Sequence, residues 1–299
     1  MDVFLGLTMN VLEEGMMYGI MAMGVYITYK VLDFPDLSVD GTFPLGACVT
    51  ASLILSGVDP WLACVLAFLA GMLAGSVTGL LNVKLKITNL LSGILVMTAL
   101  WSVNLVITNG SAVVPFYDEK TIFTSGIALL VPDAAFDYRV LIVIFVAMAA
   151  VKILLDMYLK TKSGLLLRAA GNNHQFVTSL AIDPGRMKIL GLAIGNGCTA
   201  LAGSILAQQS ESANISSGLG MVVMGLASVI IGLAIFRKVK FMRPTTMVVL
   251  GAVFYKACLV VAMQLGLPTN YMKILMAGIF VVALVSNRFF VKGRQAADG

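Results

Sequence analysis

Predominantly apolar runs of about twenty residues leave this chain few folds to choose from. They cover residues 61–81, 89–107, 140–159, 187–207 and 244–264. At 1.5 Å rise per residue, such a run is what a helix needs to cross bilayer hydrocarbon. A soluble domain carries about one charged residue in four, whereas this chain carries 12%. In lipid, only helices and closed barrels satisfy every backbone group. Continuous runs, rather than apolar/polar alternation, select helices. With shorter segments at 15–29, 221–236 and 271–285, the 299 residues allow about eight to ten spans. The expectation is an all-α, polytopic transmembrane bundle forming one membrane domain over residues 1–299, since no stretch is long or polar enough for a separate soluble domain.

Charge sets the topology. Most of the 20 Lys and Arg fall in short loops: Lys30, Lys84, Lys86, Lys160, Lys162, Arg168, Arg186, Lys188, Arg237, Lys238, Lys240, Arg243, Arg288, Lys292 and Arg294. Such loops stay inside. Acids such as Asp118, Glu119, Asp133 and Asp137 fall in segments assigned outside. The net charge of +5 therefore reports topology, with some attraction to anionic lipid, and not nucleic-acid binding. Cys48, Cys64, Cys198 and Cys258 stand singly in apolar surroundings, and His174 is the one histidine, so neither a metal site nor a cofactor is expected. The start, MDVFLGLTMNVLEEG, lacks a basic region and does not read as a cleavable signal.

Two polar, Gly-bearing interruptions are expected at membrane depth as re-entrant or broken helices. The first, 34–46, follows the 15–29 span and leaves 47–56 as a half-helix; residues 1–12 read as an interfacial lead-in. The second is 208–220. They occupy corresponding places in the two halves of the chain, and paired interruptions point to a translocation path near a repeat interface. Candidate path residues are Asp36, Ser38, Asp40 and Thr42 in the first, Gln208, Gln209, Glu211 and Asn214 in the second, and the mid-span Lys256. Charges at membrane depth are costly and usually serve a path or a partner. Plainer roles stay open: Asp36 and Asp40 as caps of the following half-helix, 208–214 as an ordinary outer loop, Lys256 snorkelling. Glu13 and Glu14 are expected to face water at a helix start, and Lys152 to pair with Asp156 at i, i+4. Glycines four apart at 71, 75 and 79, and those at 191, 195, 197 and 203, read as close helix packing.

The longest basic polar run, 160–188, lies between two spans. Gly171-Asn172-Asn173 is turn chemistry, residues 176–181 carry apolar side chains at helical spacing, and Asp183-Pro184 is expected to end that short helix. A short cytoplasmic helix between spans is what a membrane subunit needs to dock on a soluble motor. The plainer role is a basic loop that sets topology. The run resembles the coupling segment of bacterial ABC-importer permeases of the branched-chain amino acid, ribose and simple-sugar superfamily. Ala169, Gly171, Asn172, Ala181, Ile182 and Arg186 match its pattern, with Ala181 standing where glycine is usual. The string Phe34-Pro-Asp-Leu-Ser-Val-Asp-Gly-Thr-Phe43 is similar to a subgroup paired with lipoproteins for aromatic amino acids such as tryptophan or tyrosine.

The resemblance implies a permease in the bacterial cytoplasmic membrane, working as a homodimer with two copies of an ABC ATPase inside and a lipid-anchored binding protein outside. It implies that Gly164, Arg168, Ala169, Gly171, Asn172, Ala181, Ile182, Asp183 and Arg186 form the ATPase contact. No Gly-x-x-x-x-Gly-Lys-Ser/Thr or His-Glu-x-x-His occurs, so ATP chemistry is expected of a separate subunit and no intramembrane enzyme is expected. The alternative is an ion-coupled secondary transporter using Asp36, Asp40 or Lys256 without an ATPase.

Overall fold

The computed structural model describes residues 3–130, 138–179, 182–236, 239, 241–266, 268 and 271–295. Helix α1 (Val3–Val25) passes into a π-helical turn (Tyr26–Val31), followed by α2 (Val39–Leu55), α3 (Pro60–Val83), α4 (Asn89–Ile107), α5 (Arg139–Tyr158), α6 (Lys162–Asn172), α7 (His174–Ser179), α8 (Pro184–Gln209), α9 (Met221–Ile235), α10 (Pro244–Gln264) and α11 (Met272–Gln295). Among the described residues, six stretches are long and apolar enough to cross a membrane: α3, α4, α5, α8, α10, and Ile215–Ile235, which contains α9. α2 and residues 273–285 are shorter apolar helices. The fold is a polytopic helical bundle.

Helix α8 is its axis. It packs on α1, α2 and α3, and 72% of its most apolar window is buried. Small residues permit this approach. A Cβ on Gly46 or Gly203 would meet the carbonyls of Ala200 and Phe43, and one on Gly75 the carbonyl of Leu192. The glycines of α3 thus face α8, at Asn196, Ala200, Leu192 and Ile189, whereas those of α8 divide: Gly197 faces α3, Gly195 faces α1 and the π-turn, and Gly203 faces α2. The largest core cluster gathers the buried face of α1 and the π-turn, including Met17, Ile20, Met21 and Ile27, against α8, α9 and α10.

The inner basic positions meet at one end. A Cβ on Gly171 of α6 would strike the carbonyl of Val31, Gly185 packs on Val83, and Arg243 Nη1 lies 2.9 Å from Asp156 Oδ2. Lys152 also reaches Asp156, at 3.1 Å, as its i, i+4 spacing predicts, and Thr245 donates to the other carboxylate oxygen at 2.7 Å. At the opposite end, β1 (Val113–Pro115) pairs antiparallel with β2 (Ser212–Asn214), joining the 109–130 loop to the second interruption. Asp59 opens α3 as its N-cap, accepting from the N–H groups of Trp61 and Leu62. Asp133, Asp137, Arg237, Lys238 and Lys240 lie outside the described residues.

Several expectations need correcting. Residues 3–12 are no separate lead-in but the first turns of α1, because helix-favouring residues continue unbroken into the span. The first interruption is confined to residues 32–38: the π-turn ends it on one side, and Asp33 turns the chain at φ +54°, where a short polar side chain is tolerated. Pro35 then holds Phe34 out of the helical region. α2 starts at Val39 and not at 47. Pro44 lies inside it, costing a single backbone donor near the helix start. The short helix is over before Asp183-Pro184, with Ile182 and Asp183 out of helical conformation as expected, and the same pair also opens the next helix. Asp183 caps α8, accepting from Gly185 N–H at 2.8 Å, with Pro184 at the first helical position. α6 runs through Gly171 and Asn172, and the turn falls only at Asn173.

Candidate functional site

The two interruptions meet at Asp40. Its carboxylate accepts from the backbone N–H of Gly220 at 3.1 Å and of Val222 at 2.7 Å. It thus caps α9, a helix 180 residues away, and not the α2 helix on which it lies. The caged charge complements the positive N-terminus of α9. On the other face, Gly218 packs on the carbonyl of Asp40 and on Pro44, a position where a Cβ would not fit. A 3₁₀ turn, Ile215–Gly218, brings this backbone in, capped by Asn214, whose Oδ1 accepts from Ser216 N–H at 2.8 Å. Ile215 and Gly218 are buried. This is irregular backbone satisfied inside protein, the condition for its presence in a membrane bundle.

One turn earlier, Asp36 is buried at 4% exposure. Oδ1 accepts from Ser38 N–H at 2.8 Å and from the Ser38 hydroxyl at 2.7 Å, while Oδ2 accepts from Asn196 Nδ2 of α8 at 2.7 Å. α4 closes over it at Gly93, where a Cβ would meet Leu37 and Asp36. The Thr42 hydroxyl donates to the Ser38 carbonyl within α2. Asp36, Ser38, Asp40 and Thr42 are thus all buried or half-buried at the α2 start, with Asp36 and Ser38 turned to Asn196 of α8 and Asp40 turned to the N-terminus of α9.

The second interruption divides. Gln208 is buried, accepting from Ile122 N–H at 2.9 Å and donating to Cys64 Sγ at 3.1 Å, so it anchors the outer loop. Gln209 donates to Glu13 at 3.3 Å, and Glu211 turns the chain at φ +49°. Lys256 does pair with a carboxylate: its Nζ lies 2.5 Å from Glu14 Oε2, with Tyr18 beneath it at 5.9 Å. Glu13 and Glu14 accordingly do not stand in water at a helix start. They lie three turns into α1, where Gln209 and Lys256 supply their partners. Lys256 is therefore apart from Asp36 and Asp40, on the α1–α10 seam.

In the 160–188 run, α6 is amphipathic. Thr161 caps it through Gly164 N–H at 3.2 Å, and Gly164, Leu167 and Ala170 face inward. Gly164 lies on the Tyr158 carbonyl, and Leu167 and Leu32 together cover Gly191 of α8. Arg168, Asn172, Asp183 and Arg186 are exposed, and Ala169, Gly171 and Ile182 half-buried. Ala181 lies outside the described residues. Gly171 meets Val31 at the end of the π-turn, five residues before Asp36. The exposed basic face and the buried carboxylate are thus joined by one short piece of backbone.

Sequence reasoning missed Asn196 and Asn104. Asn196 holds Asp36, and Asn104, fully buried on α4, donates to the Gly41 carbonyl at 3.2 Å. Each is a single amide inside an apolar run, a signal that glycine-rich packing and a helix-ending turn obscured.

The chain is 41% identical over 277 residues, 93% of this chain and 90% of the relative, to a tyrosine transport system permease protein of Clostridioides difficile (strain R20291). It is 29% identical over 227 residues to the ribose import permease protein RbsC of Bacillus subtilis (strain 168), covering 75% of this chain and 67% of that one. PsaBC from Streptococcus pneumoniae, solved in complex with Fab, shares the fold with a TM-score of 0.51 at 12% identity over 92% of this chain and 89% of that one. Residues 7–284 match the family described as the permease component of the branched-chain amino acid transport system. The chain belongs to that family, and is a multi-pass permease of the bacterial inner membrane in the ABC-importer class.

Proposed function

We propose that residues 1–299 act as one permease domain that carries an amino acid inward, driven by an ATPase docked on the 160–188 segment. The contact between Gly171 of α6 and the Val31 carbonyl carries this reading, because it ties an exposed basic face to the Asp36–Asn196 lock. Gly164, Arg168, Ala169, Gly171, Asn172, Ala181, Ile182, Asp183 and Arg186 supply the ATPase contact. Asp36, Ser38, Asp40 and Thr42 line the path at the α2 start. Gln208, Gln209, Glu211 and Asn214 shape its outer end, where a binding protein delivers solute, and Lys256 braces the wall beside them. ATP hydrolysis belongs to the partner subunit, since this sequence has no phosphate-cradling glycine loop. The amino-acid assignment rests on the 41% identical tyrosine permease.

One chain supplies one coupling segment, so the working unit is a homodimer with two ATPase copies, fed by an extracytoplasmic lipoprotein. ATP-bound motor and loaded binding protein then bias an inward/outward equilibrium through the different contacts each makes in the two states. Affinity purification in mild detergent, after co-expression with the neighbouring genes, tests the assembly. Recovery of a stoichiometric ATPase supports it. A preparation free of ATPase that nevertheless takes up solute along an ion gradient would replace it with secondary transport.

A further inference from the structure

Helices α9, α10 and α11 enclose a groove of about 470 Å³ whose lining residues are all apolar. Ile235 borders it on α9, Phe254 on α10, and Leu275, Gly278 and Ala283 on α11. From Leu275 to Ala283 it follows α11 for about 12 Å, at the helical rise of 1.5 Å per residue. Gly278 keeps it open, since a Cβ there would meet nothing within 4 Å. Ile235 and Phe254 are each about half exposed, so the groove opens outward from the bundle and not into it. Ile235 is also the last residue of α9, which places the inner end of the groove where the loop to α10 begins.

That inner end carries charge of one sign. The loop reads Arg237-Lys-Val-Lys-Phe-Met-Arg243, and residues 212–297, which include all three helices, contain no Asp or Glu. The loop cations therefore have no counter-charge on the helices that form the groove. Arg243 reaches across to Asp156 of α5 at 2.9 Å, a carboxylate that Lys152 already holds at 3.1 Å. Arg237, Lys238 and Lys240 fall between Phe236 and Phe241, and a chain spanning at most about 3.6 Å per residue keeps them near this end. Phe241 is fully exposed among them. Arg243 stands at the cap position of α10 without a side-chain cap, so the helix N-terminus adds to the positive field. An apolar groove at hydrocarbon depth, with cations and an exposed aromatic at its cytoplasmic mouth, matches an acyl chain joined to an anionic headgroup. A second copy of the chain matches less well, because a twofold contact pairs equal surfaces and would bring two basic loops to one interface. A soluble partner would meet the loop and leave the groove empty. We propose that the groove holds an acyl chain of an anionic inner-leaflet phospholipid, with the phosphate at the 237–243 loop and Phe241 in the headgroup boundary.

Phe254→Trp puts a reporter in the groove, with the unsubstituted protein as the blank. The full chain, with the subunits that purify with it, is placed in phosphatidylcholine nanodiscs containing increasing fractions of a dibrominated phospholipid, whose bromines quench a tryptophan on contact. Dibrominated phosphatidylglycerol is expected to quench the added emission at a mole fraction at least about fivefold lower than dibrominated phosphatidylcholine. That preference should vanish in the combined Arg237→Gln, Lys238→Gln, Lys240→Gln variant and shrink as salt rises. Gly278→Leu fills the groove without striking a neighbour and should remove most of the quenching by either lipid. Equal quenching by the two lipids, or full quenching in Gly278→Leu, would overturn the proposal. A preference that survives the triple substitution while a co-purifying ATPase is lost would make the loop a protein contact, and would overturn it as well. If Phe254→Trp does not insert, the unsubstituted protein is stripped of lipid in detergent, offered both phospholipids and weighed by native mass spectrometry. Phosphatidylglycerol retained over phosphatidylcholine supports the proposal, and neither retained, or both equally, overturns it.

Discussion

Asp36 keeps a carboxylate almost out of water on three hydrogen bonds, and the one from another helix comes from Asn196. Removing that partner leaves a buried acceptor unmet, at a cost of roughly 1–3 kcal/mol or more for a charged group. Asn196→Leu should lower the midpoint of thermal unfolding and slow uptake, both read on the purified protein. Asp40→Asn keeps the shape of the cap but removes the charge that complements the α9 N-terminus. It should cut uptake while the protein still inserts, and normal uptake would leave Asp40 a structural cap alone. Lys256→Met strands the half-buried Glu14 carboxylate and should lower the midpoint of thermal unfolding. Glu14→Gln combined with Lys256→Met should recover most of that fall in the same melting experiment. Asp36, Asp40 and Lys256 were visible in the sequence because a charge inside an apolar run is expensive. Their partners were not visible, since Asn196, Gly220 and Glu14 lie far away along the chain and only packing brings them in.

The elements that matter are the broken ones. The π-turn, the short loop to α2 and the 3₁₀ turn before α9 form one connected irregular seam through Asp40 and Gly218. The sequence marked both interruptions by their glycines, prolines and acids, and marked the helices around them by run length. It placed the α2 start eight residues late because Pro44 looks like a breaker when read locally, whereas a helix tolerates it near its beginning. It read Asp183-Pro184 as a stop, which the short helix does not pass, and did not see that the same pair also opens α8, with the aspartate as cap and the proline at the first position. α6 is the element most exposed to test. Gly171→Leu would drive a side chain into the Val31 carbonyl and push α6 off the π-turn. Binding of the ATPase should persist while ATP hydrolysis is uncoupled from uptake, seen as ATP consumed per solute moved. Unchanged coupling would mean that force does not pass through this contact.

At the scale of the molecule, alternating loop charge predicted which ends lie together, and the packing of Gly171 on Val31, Gly185 on Val83 and Arg243 on Asp156 puts them there. The bundle is held by backbones in contact along α8, the arrangement expected where lipid removes the usual hydrophobic drive between helices. The small β pairing of Val113–Pro115 with Ser212–Asn214 was not legible, because three-residue strands carry no period to detect. What unites the molecule in this account is a basic docking end and a buried carboxylate lock, linked through α6, the π-turn and α2. The measurement that tests this most directly is uptake of labelled tyrosine into proteoliposomes holding the permease, its ATPase and its binding protein. Uptake is followed once with ATP supplied to the ATPase face and no ion gradient, and once with gradients and no ATP. The account predicts uptake with ATP alone, abolished when the ATPase is omitted. Uptake that follows a proton or sodium gradient and ignores ATP would contradict it.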